Sequence, residues 1–329
     1  MRIDPALKAL CSDPAAQRRA EHAMRNALAT WQNLPQYLQI QADLARYAAG
    51  QALADLPGLH QLLQSRTCAA EMAQQWMDHF LPVLQDHPFA QFPLRHSYSP
   101  GFATMHLALV GNAVLSLVCY EQKPGAQPPQ GAHFADREQH EIVLAGAGQA
   151  QIYHLAQELP ASARVDCQTM DLAAGSMIAL PSRQYGRDIT GVKGWLLMLQ
   201  LQRLPDDPRP ARDYRLADGA MIHQACASKS ESQCEMALAV LGALGRADAV
   251  PTMLELAGQG GTQLRWEALR HALALDCAAG FDRLAGIASD DSDPLSSHAA
   301  QVRQQLIHAY PQLAQSPQPA QRKDMPCPA

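Results

Sequence analysis

Three side chains in one short segment have the chemistry of metal ligands. The segment reads His133-Phe-Ala-Asp-Arg-Glu-Gln-His140-Glu141, and we take its two imidazoles and its last carboxylate as candidates. A mononuclear iron or zinc centre needs about three firm protein ligands beside an open position. His133 and His140 are an odd number of residues apart, so on one continuous strand they would face opposite sides. A bulge or turn at residues 136–137 would remove that conflict.

A second polar segment contains arginine and tyrosine rather than histidine. It reads Ser-Arg183-Gln-Tyr185-Gly-Arg187-Asp188, and its guanidinium groups can bind an anionic or polar ligand through forked hydrogen bonds. The same residues also fit a plainer arrangement, a solvated turn in which both arginines pair with Asp188. The candidate ligand-binding residues are therefore Arg183, Tyr185, Arg187, His133 and His140.

Other chemistry is not indicated. The sequence contains no phosphate-binding G-x-x-x-x-G-K-[ST], no G-x-G-x-x-G, no H-E-x-x-H and no G-x-S-x-G. The eight cysteines form no C-x-x-C pair and are typical of reduced thiols in a cytosolic protein. A net charge of −5 argues against a dedicated nucleic-acid binder, which would usually carry a basic surplus.

Membrane insertion and secretion are also not indicated. The first residues include acid and proline where a signal peptide needs an apolar run, and no apolar stretch is long enough to span a bilayer. We expect a cytoplasmic protein without membrane contact.

The elements that position these residues change character along the chain. Periodic apolar positions predict helices over residues 1–90, and alternating patterns predict strands over 91–203. Gly111-Asn112 between two apolar runs predicts a hairpin. A Pro/Asp-rich stretch opens a linker at 204–232, helices return at 233–312, and a Pro/Gln-rich tail at 313–329 is predicted to be disordered. The expected class is α+β.

The strand-rich region resembles the cupin family, whose fold is an antiparallel β-sandwich or barrel. One cupin motif is a glycine, His-x-His, a glutamate and a glycine, and the other has glycine, proline and a third histidine. Gly175-Ser-Met-Ile-Ala-Leu-Pro181 matches part of the second motif, but the third histidine would fall near Tyr185 or Gly186. The resemblance also implies pairing through the sheets, and so a homodimer.

The first cupin motif allows two alignments on this chain. With Glu141 as the family's glutamate, separated from Gly148 by six residues, the paired histidines fall on Ala135 and Arg137. With Gln139 in that place, the first histidine falls on His133 and the second on Ala135. Neither alignment recovers the metal site.

The C-terminal region resembles HEAT repeats. The matching strings are Leu241-Gly-Ala-Leu-Gly-Arg-Ala-Asp-Ala-Val-Pro251, Leu264-Arg-Trp-Glu-Ala-Leu269 and Asp293-Pro294. In such repeats an arginine and an aspartate brace neighbouring turns, and stacked repeats form surfaces for docking macromolecules. An alternative is that these helices only cover one side of the barrel.

Two hypotheses of function follow. In the first, a degenerate cupin barrel binds a small polar ligand or a peptide without any cofactor, and the helical repeats dock a protein partner in an accessory role. In the second, the barrel is a metal-dependent oxygenase or isomerase that uses iron or another divalent ion. Its ligands would come from His106, His133, His140, Glu141 and His154.

Overall fold

The computed structural model describes residues 5–122, 125, 128–159, 161–206, 208–225 and 229–315. These residues form an α+β protein of helices and antiparallel sheets. The chain divides into two compact units. One unit runs to Pro208 and takes in Arg212–His223, and the other consists of Arg209–Ala211 and the chain from Gln224 onward. No helix among the described residues has the length and apolar character needed to cross a bilayer.

The first unit opens with helices that begin where the sequence marks a start. Proline is the first residue of four of them, where its missing N–H is not needed. The Asp13 carboxylate accepts a hydrogen bond from the Ala15 N–H and caps the second helix. The helices are α1 (Pro5–Ser12), α2 (Pro14–Gln32), α3 (Pro35–Ala48), α4 (Pro57–Gln64) and α5 (Arg66–Asp86).

Two antiparallel sheets follow. In the large sheet the order is β1-β2-β3-β8-β5-β6, with β7 paired to β5, and in the small sheet it is β10-β9-β4. The strands are β1 (His96–Ser99), β2 (Phe102–Val110), β3 (Ala113–Glu121), β4 (Gly131–Phe134), β5 (Glu138–Glu158), β6 (Ala163–Ala173), β7 (Met177–Leu180), β8 (Tyr185–Arg203), β9 (Ala211–Arg215) and β10 (Met221–Ala225).

The central part of the large sheet, around β3, β5 and β8, is buried on both faces. On one face Leu115, Ile142 and Leu201 join a core with Trp31 and Leu44 of the helices. On the opposite face lies a second cluster, formed by residues one position away along the same strands, among them Val143, Leu196 and Met198. The N-terminal helices and the sheet therefore share one core.

The small sheet packs on the large one through a separate cluster. Phe134 of β4 and Tyr214 of β9 lie against Tyr153 and Leu155 of β5, all of them buried. The two sheets thus face each other as a β-sandwich.

Strand β5 runs without a break from Glu138 to Glu158, and its register against β8 shifts just after Gly146. Gly146 has a φ of +89°, and a Cβ there would lie 2.1 Å from the carbonyl oxygen of Trp195. Glycine therefore bends the strand without ending it.

The prediction of a linker at 204–232 was wrong for much of its length. Strands β9 and β10 lie inside it, and β9 pairs with β4 from Arg212 to Arg215. The linker composition is confined to the residues around 205–210, while the next segment alternates and buries Tyr214.

The second unit contains five α-helices in its described part. They are α6 (Lys229–Ala243), α7 (Val250–Leu256), α8 (Thr262–Leu275), α9 (Cys277–Ala288) and α10 (Ser296–Ala309). Their core is apolar, with Leu238, Met253, Leu269 and Leu284 at its centre. A 3-10 turn, Pro311–Gln315, extends into the predicted tail at 313–329, and residues 316–329 lie outside the described residues.

Candidate functional site

The polar residues of the sandwich interior share one face of the large sheet. The buried polar residues there are Gln139 and Glu141 of β5 and Ser116 of β3. Along each strand they alternate with the apolar residues of the core shared with the helices. Gln200 and Gln202 of β8 lie opposite Glu141 and Gln139 in register. The Gln202 amide donates to Gln139 Oε1 at 2.7 Å, and the Gln200 amide donates to Glu141 Oε1. A row of hydrogen-bonded polar groups therefore runs through the interior.

Glu141 forms the centre of this row. Arg187 donates from Nε to Glu141 Oε2 at 2.7 Å and from Nη2 to Oε1. The Arg187 side chain is 9% exposed and the Glu141 side chain 0%. Burial alone would lower the pKa of the Arg187 guanidinium, but the Glu141 carboxylate raises it above its usual value. This bidentate pair is charged and removed from water.

Two further groups adjoin the pair. Tyr120 of β3 lies with its ring centroid 5.4 Å from the guanidinium carbon of Arg187, and burial raises the pKa of its hydroxyl. Arg137 lies just before β5, and burial together with the charge of Arg187 lowers the pKa of its guanidinium. Glu141 and Tyr120 act on the pKa of Arg137 in the opposite direction, so all four groups interact.

A cavity of about 590 Å³ opens beside this cluster. Its wall includes the polar side chains of Tyr120, Arg187 and Asp188 and the apolar side chains of Phe102 and Ile189. The remaining lining residues are Gly101, Glu121, Gln122, Gly125, Thr190, Gly191 and Val192. A volume of this size suits a small molecule.

The structure separates the five predicted ligand-binding residues. Of the five, Arg187 alone lines the cavity. Arg183 pairs with Glu158 at 2.8 Å, and the Tyr185 ring lies 5.0 Å from that of His154. The alternative of two solvated arginines paired with Asp188 was wrong, because Asp188 accepts instead from the Tyr153 hydroxyl at 3.0 Å.

The two candidate histidines lie in different sheets. His133 is on β4, half-exposed, with Nδ1 2.6 Å from Asp213 Oδ1. His140 is on β5, with Nε2 2.8 Å from Glu138 Oε1. A bend at residues 135–137 does separate the strands, as the turn hypothesis required, but it directs them into different sheets.

The other two histidines of the metal hypothesis also have partners of their own. His106 Nδ1 lies 2.9 Å from the Ser116 hydroxyl, and burial lowers the pKa of this imidazole. His154 lies beside Asp166 at 3.9 Å, on the strand pair β5–β6. Neither histidine is placed with His133 and His140.

The described residues do not fit a mononuclear metal centre. No group of three His, Cys, Asp or Glu side chains in the described part of the chain is placed to hold a metal ion. Both oxygens of the Glu141 carboxylate already accept hydrogen bonds from Arg187. The guanidinium of Arg137 is a further cation in the same interior. A metal ion bound at Glu141 would have to displace Arg187.

Three residues of this interior were not predicted as site residues from the sequence: Tyr120, Gln200 and Arg137. Gln200 and Gln202 alternate with leucines in the string Leu197-Met-Leu-Gln-Leu-Gln, which is the pattern of a strand with one polar face. Gln139 and Glu141 show the same spacing on β5. These two patterns together were a signal for a polar interior.

No protein-family model matches this chain. No curated protein is significantly similar to it in sequence.

Several solved structures are similar to it. The DMSP lyase structure of RdDddP and RnDddQII is 19% identical over 59% of this chain and 98% of that chain, with a TM-score of 0.27. A cupin superfamily protein from Desulfitobacterium hafniense is 17% identical over 33% of this chain and 83% of its own, with a TM-score of 0.23. The 7S globulin of Momordica charantia is 15% identical over 37% of this chain, with a TM-score of 0.26, and this chain spans only 35% of the globulin.

Proposed function

We propose that this protein binds a small polar ligand in its β-sandwich without a resident metal ion, in an accessory rather than a catalytic role. The supporting observation is the pair of Glu141 and Arg187 beside the cavity. The pair provides a fixed, charged wall, and Tyr120 and Phe102 supply aromatic surface. Such a combination of apolar surface with a few fixed polar groups is typical of small-molecule sites.

The sandwich is, in this proposal, a cupin barrel that has lost its metal ligands. The residues of both motifs lie on or next to neighbouring strands, since Glu141 is on β5 and Gly175 lies two residues before β7, which pairs with β5. In the alignment that uses Glu141, the cupin histidines fall on Ala135 and Arg137. A guanidinium then stands where an imidazole would bind the metal.

We infer further that the helices of the second unit are HEAT-like repeats. Arg265 of α8 donates to Asp293, the residue that begins the third matching string, and both side chains are nearly buried. Gly280 of α9 lies so close to α8 that a Cβ would be 2.7 Å from the backbone of Leu273. An arginine–aspartate brace and close helix packing both support the resemblance.

Docking of a protein partner by these helices stays a prediction, as does a homodimer. Docking of a partner can be tested at three exposed apolar side chains. They are Met236, Val240 and Leu244, which lie at four-residue steps on and just after α6.

The ligand proposal is tested by thermal unfolding with a panel of small carboxylates, amides, sugars and nucleosides, in the presence of EDTA. Gln122 is exposed at the cavity, so Gln122→Trp should obstruct the cavity without entering a core. Gln259→Trp, at an exposed turn of the helical unit, is the matched control. We expect a compound that raises Tm in the wild type and in Gln259→Trp but not in Gln122→Trp. Failure of every compound, or equal binding by Gln122→Trp, would refute the proposal.

A further inference from the structure

Arg187 has hydrogen-bond donors that its partner Glu141 does not use. The salt bridge engages Nε, which lies 2.7 Å from Glu141 Oε2, and one N–H of Nη2. The N–H groups of Nη1 and the second N–H of Nη2 lie on the edges of the planar guanidinium that face away from this carboxylate. Arg187 lines the cavity although its side chain is only 9% exposed. These remaining donors are therefore available to a ligand in the cavity.

Tyr120 adds another donor to the same wall. It lines the cavity, and the guanidinium carbon of Arg187 lies 5.4 Å from the centroid of its ring. A phenol can accept a hydrogen bond from a guanidinium and still donate its own proton to a ligand. The wall formed by Arg187 and Tyr120 is thus rich in donors, and it suits an oxygen acceptor such as a carbonyl group.

The charges at the cavity disfavour a charged ligand. Glu141 already balances Arg187, and the other charged groups among the described lining residues are the carboxylates of Glu121 and Asp188. These carboxylates would repel an anion, and the donors of Arg187 would repel an ammonium group. An uncharged ligand avoids both costs, and an N–H group on such a ligand can donate to a carboxylate.

Part of the cavity wall is apolar. The centroid of the Phe102 ring lies 5.2 Å from that of the Tyr120 ring, and Ile189 and Val192 line the same cavity. These side chains can cover the hydrocarbon or aromatic part of a ligand while its polar group is bound by Arg187.

We propose that the ligand is a small uncharged carboxamide whose carbonyl oxygen accepts hydrogen bonds from Arg187 and the Tyr120 hydroxyl, an inference that rests on the proposed function. The amide N–H then donates to a carboxylate of the cavity wall, and the apolar part of the ligand packs on Phe102. Glu141 holds the guanidinium in place and balances its charge, so that the site selects an acceptor rather than an anion.

The test is calorimetric titration of the full chain with matched sets of amide, acid and amine. The sets are butyramide, butyrate and butylamine, and benzamide, benzoate and benzylamine. We expect at least one amide to bind, and the acid and amine of its set to bind at least about tenfold more weakly, because each brings an unbalanced charge into the cavity.

A conservative variant tests the role of the tyrosine. Tyr120→Phe keeps the ring and removes one donor, so it should weaken amide binding about threefold to tenfold. Tyr98→Phe is the matched control, since Tyr98 is 70% exposed on β1, and it should bind the amide as the wild type does.

A measurement on the wild type alone examines the carbonyl group. With an isotope-labelled carbonyl in the amide, infrared spectroscopy should show the stretching band at a lower frequency in the complex than in water, because a charged donor polarises the bond more strongly. A band at or above its position in water would contradict binding by Arg187.

The outcomes separate this inference from the proposed function. An acid or amine that binds as tightly as its amide, or unchanged amide binding by Tyr120→Phe, would refute the ligand class while the proposed function stands. The same conclusion follows if no amide binds but a compound of another kind in the larger panel does. If no compound binds, both proposals fail.

Discussion

Arg187 and Glu141 meet in the sandwich interior although their strands pair far from that point. In register, Arg187 lies opposite Ile152 of β5, eleven residues beyond Glu141. A straight strand would separate those positions by about 36 Å. The salt bridge therefore requires the β5–β8 ribbon to fold back on itself, and the register shifts between Val143 and Ala150 provide the bend.

The first prediction concerns the energy of this pair. Glu141→Leu leaves the Arg187 guanidinium buried without a partner and should lower the free energy of unfolding by about 3–5 kcal/mol. Arg187→Met should have a comparable effect, because it leaves Glu141 unpaired. The double variant should be more stable than either single variant, since two apolar side chains replace a desolvated pair. Urea unfolding of the wild type, the two single variants and the double variant gives the four free energies of this double-mutant cycle.

The control for this cycle is an exposed acid at the same cavity. Glu121→Leu should change the free energy of unfolding by no more than about 0.5 kcal/mol. Single variants of Glu141 and Arg187 that are as stable as Glu121→Leu would show that the buried pair is not formed.

The second prediction concerns the attachment of helix α3 to the sheet. Arg203 donates from Nη1 to the carbonyl oxygens of Tyr47 and Gln51, at 2.7 and 3.0 Å, and pairs with Glu138. Its guanidinium also lies 4.2 Å from the centroid of the Tyr47 ring. Arg203→Met should destabilise the protein by about 2 kcal/mol, and Arg203→Lys by less, because lysine keeps the charge but not the forked geometry.

Arg164 is the matched control, since its side chain is 76% exposed on β6. Arg164→Met should leave the urea midpoint unchanged. Equal midpoints for Arg164→Met and Arg203→Met would contradict this role of Arg203.

The third prediction is a loss of stability in acid. Burial alone would raise the pKa of Glu138, but hydrogen bonds from His140 and Arg203 hold it below its usual value. In the same way, Arg183 and Tyr214 lower the pKa of Glu158 against the effect of burial. A carboxyl group with a lowered pKa in the folded state stabilises the fold above its unfolded pKa, about 4.3, and loses that contribution as pH falls.

We therefore expect Tm to change little between about pH 7 and 5 on account of these groups and to fall below about pH 4. Calorimetry of the wild type and of Glu138→Gln measures the effect, and the variant should show the smaller dependence on pH. A Tm that rises on acidification from pH 5 to 3 would contradict the assignment.

The fourth prediction compares two arginine–aspartate pairs of the helical unit. Arg265 and Asp293 are 12% and 11% exposed, whereas Arg246 and Asp248 are 56% and 65% exposed. Exposed pairs contribute little, because water and salt screen them. Asp293→Ala should lower Tm clearly, since it also removes the acceptor for the Leu295 N–H, and Asp248→Ala should not. Similar Tm values for the two variants would remove this support for a HEAT-like brace.

The sequence predicts local features of this fold well. Asp13 and Pro14 mark the start of α2, and Gly111-Asn112 form the turn between β2 and β3, as expected from their preferences for caps and turns. These signals lie in adjacent residues. The partner of Arg187 is 46 residues away along the chain, and it depends on the bend of two long strands, so no short pattern could identify it.

In the candidate site, too, residue type predicts part of the arrangement and the tertiary fold decides the rest. Arg187 was predicted as a ligand-binding residue from its residue type, and it does line the cavity. Arg183 is also an arginine and lies four residues earlier, but it pairs with Glu158 and does not line the cavity. Both arginines pair with carboxylates on a distant strand, and the tertiary fold decides which of them faces the cavity.

Metal analysis of the untagged full chain is the most direct test of an interior organised by arginine and glutamate rather than by a metal ion. Elemental analysis by mass spectrometry should find iron, manganese, nickel and zinc at well below one ion per chain, and EDTA should leave Tm unchanged. Stoichiometric metal that is lost in both His133→Ala and His140→Ala would contradict the account.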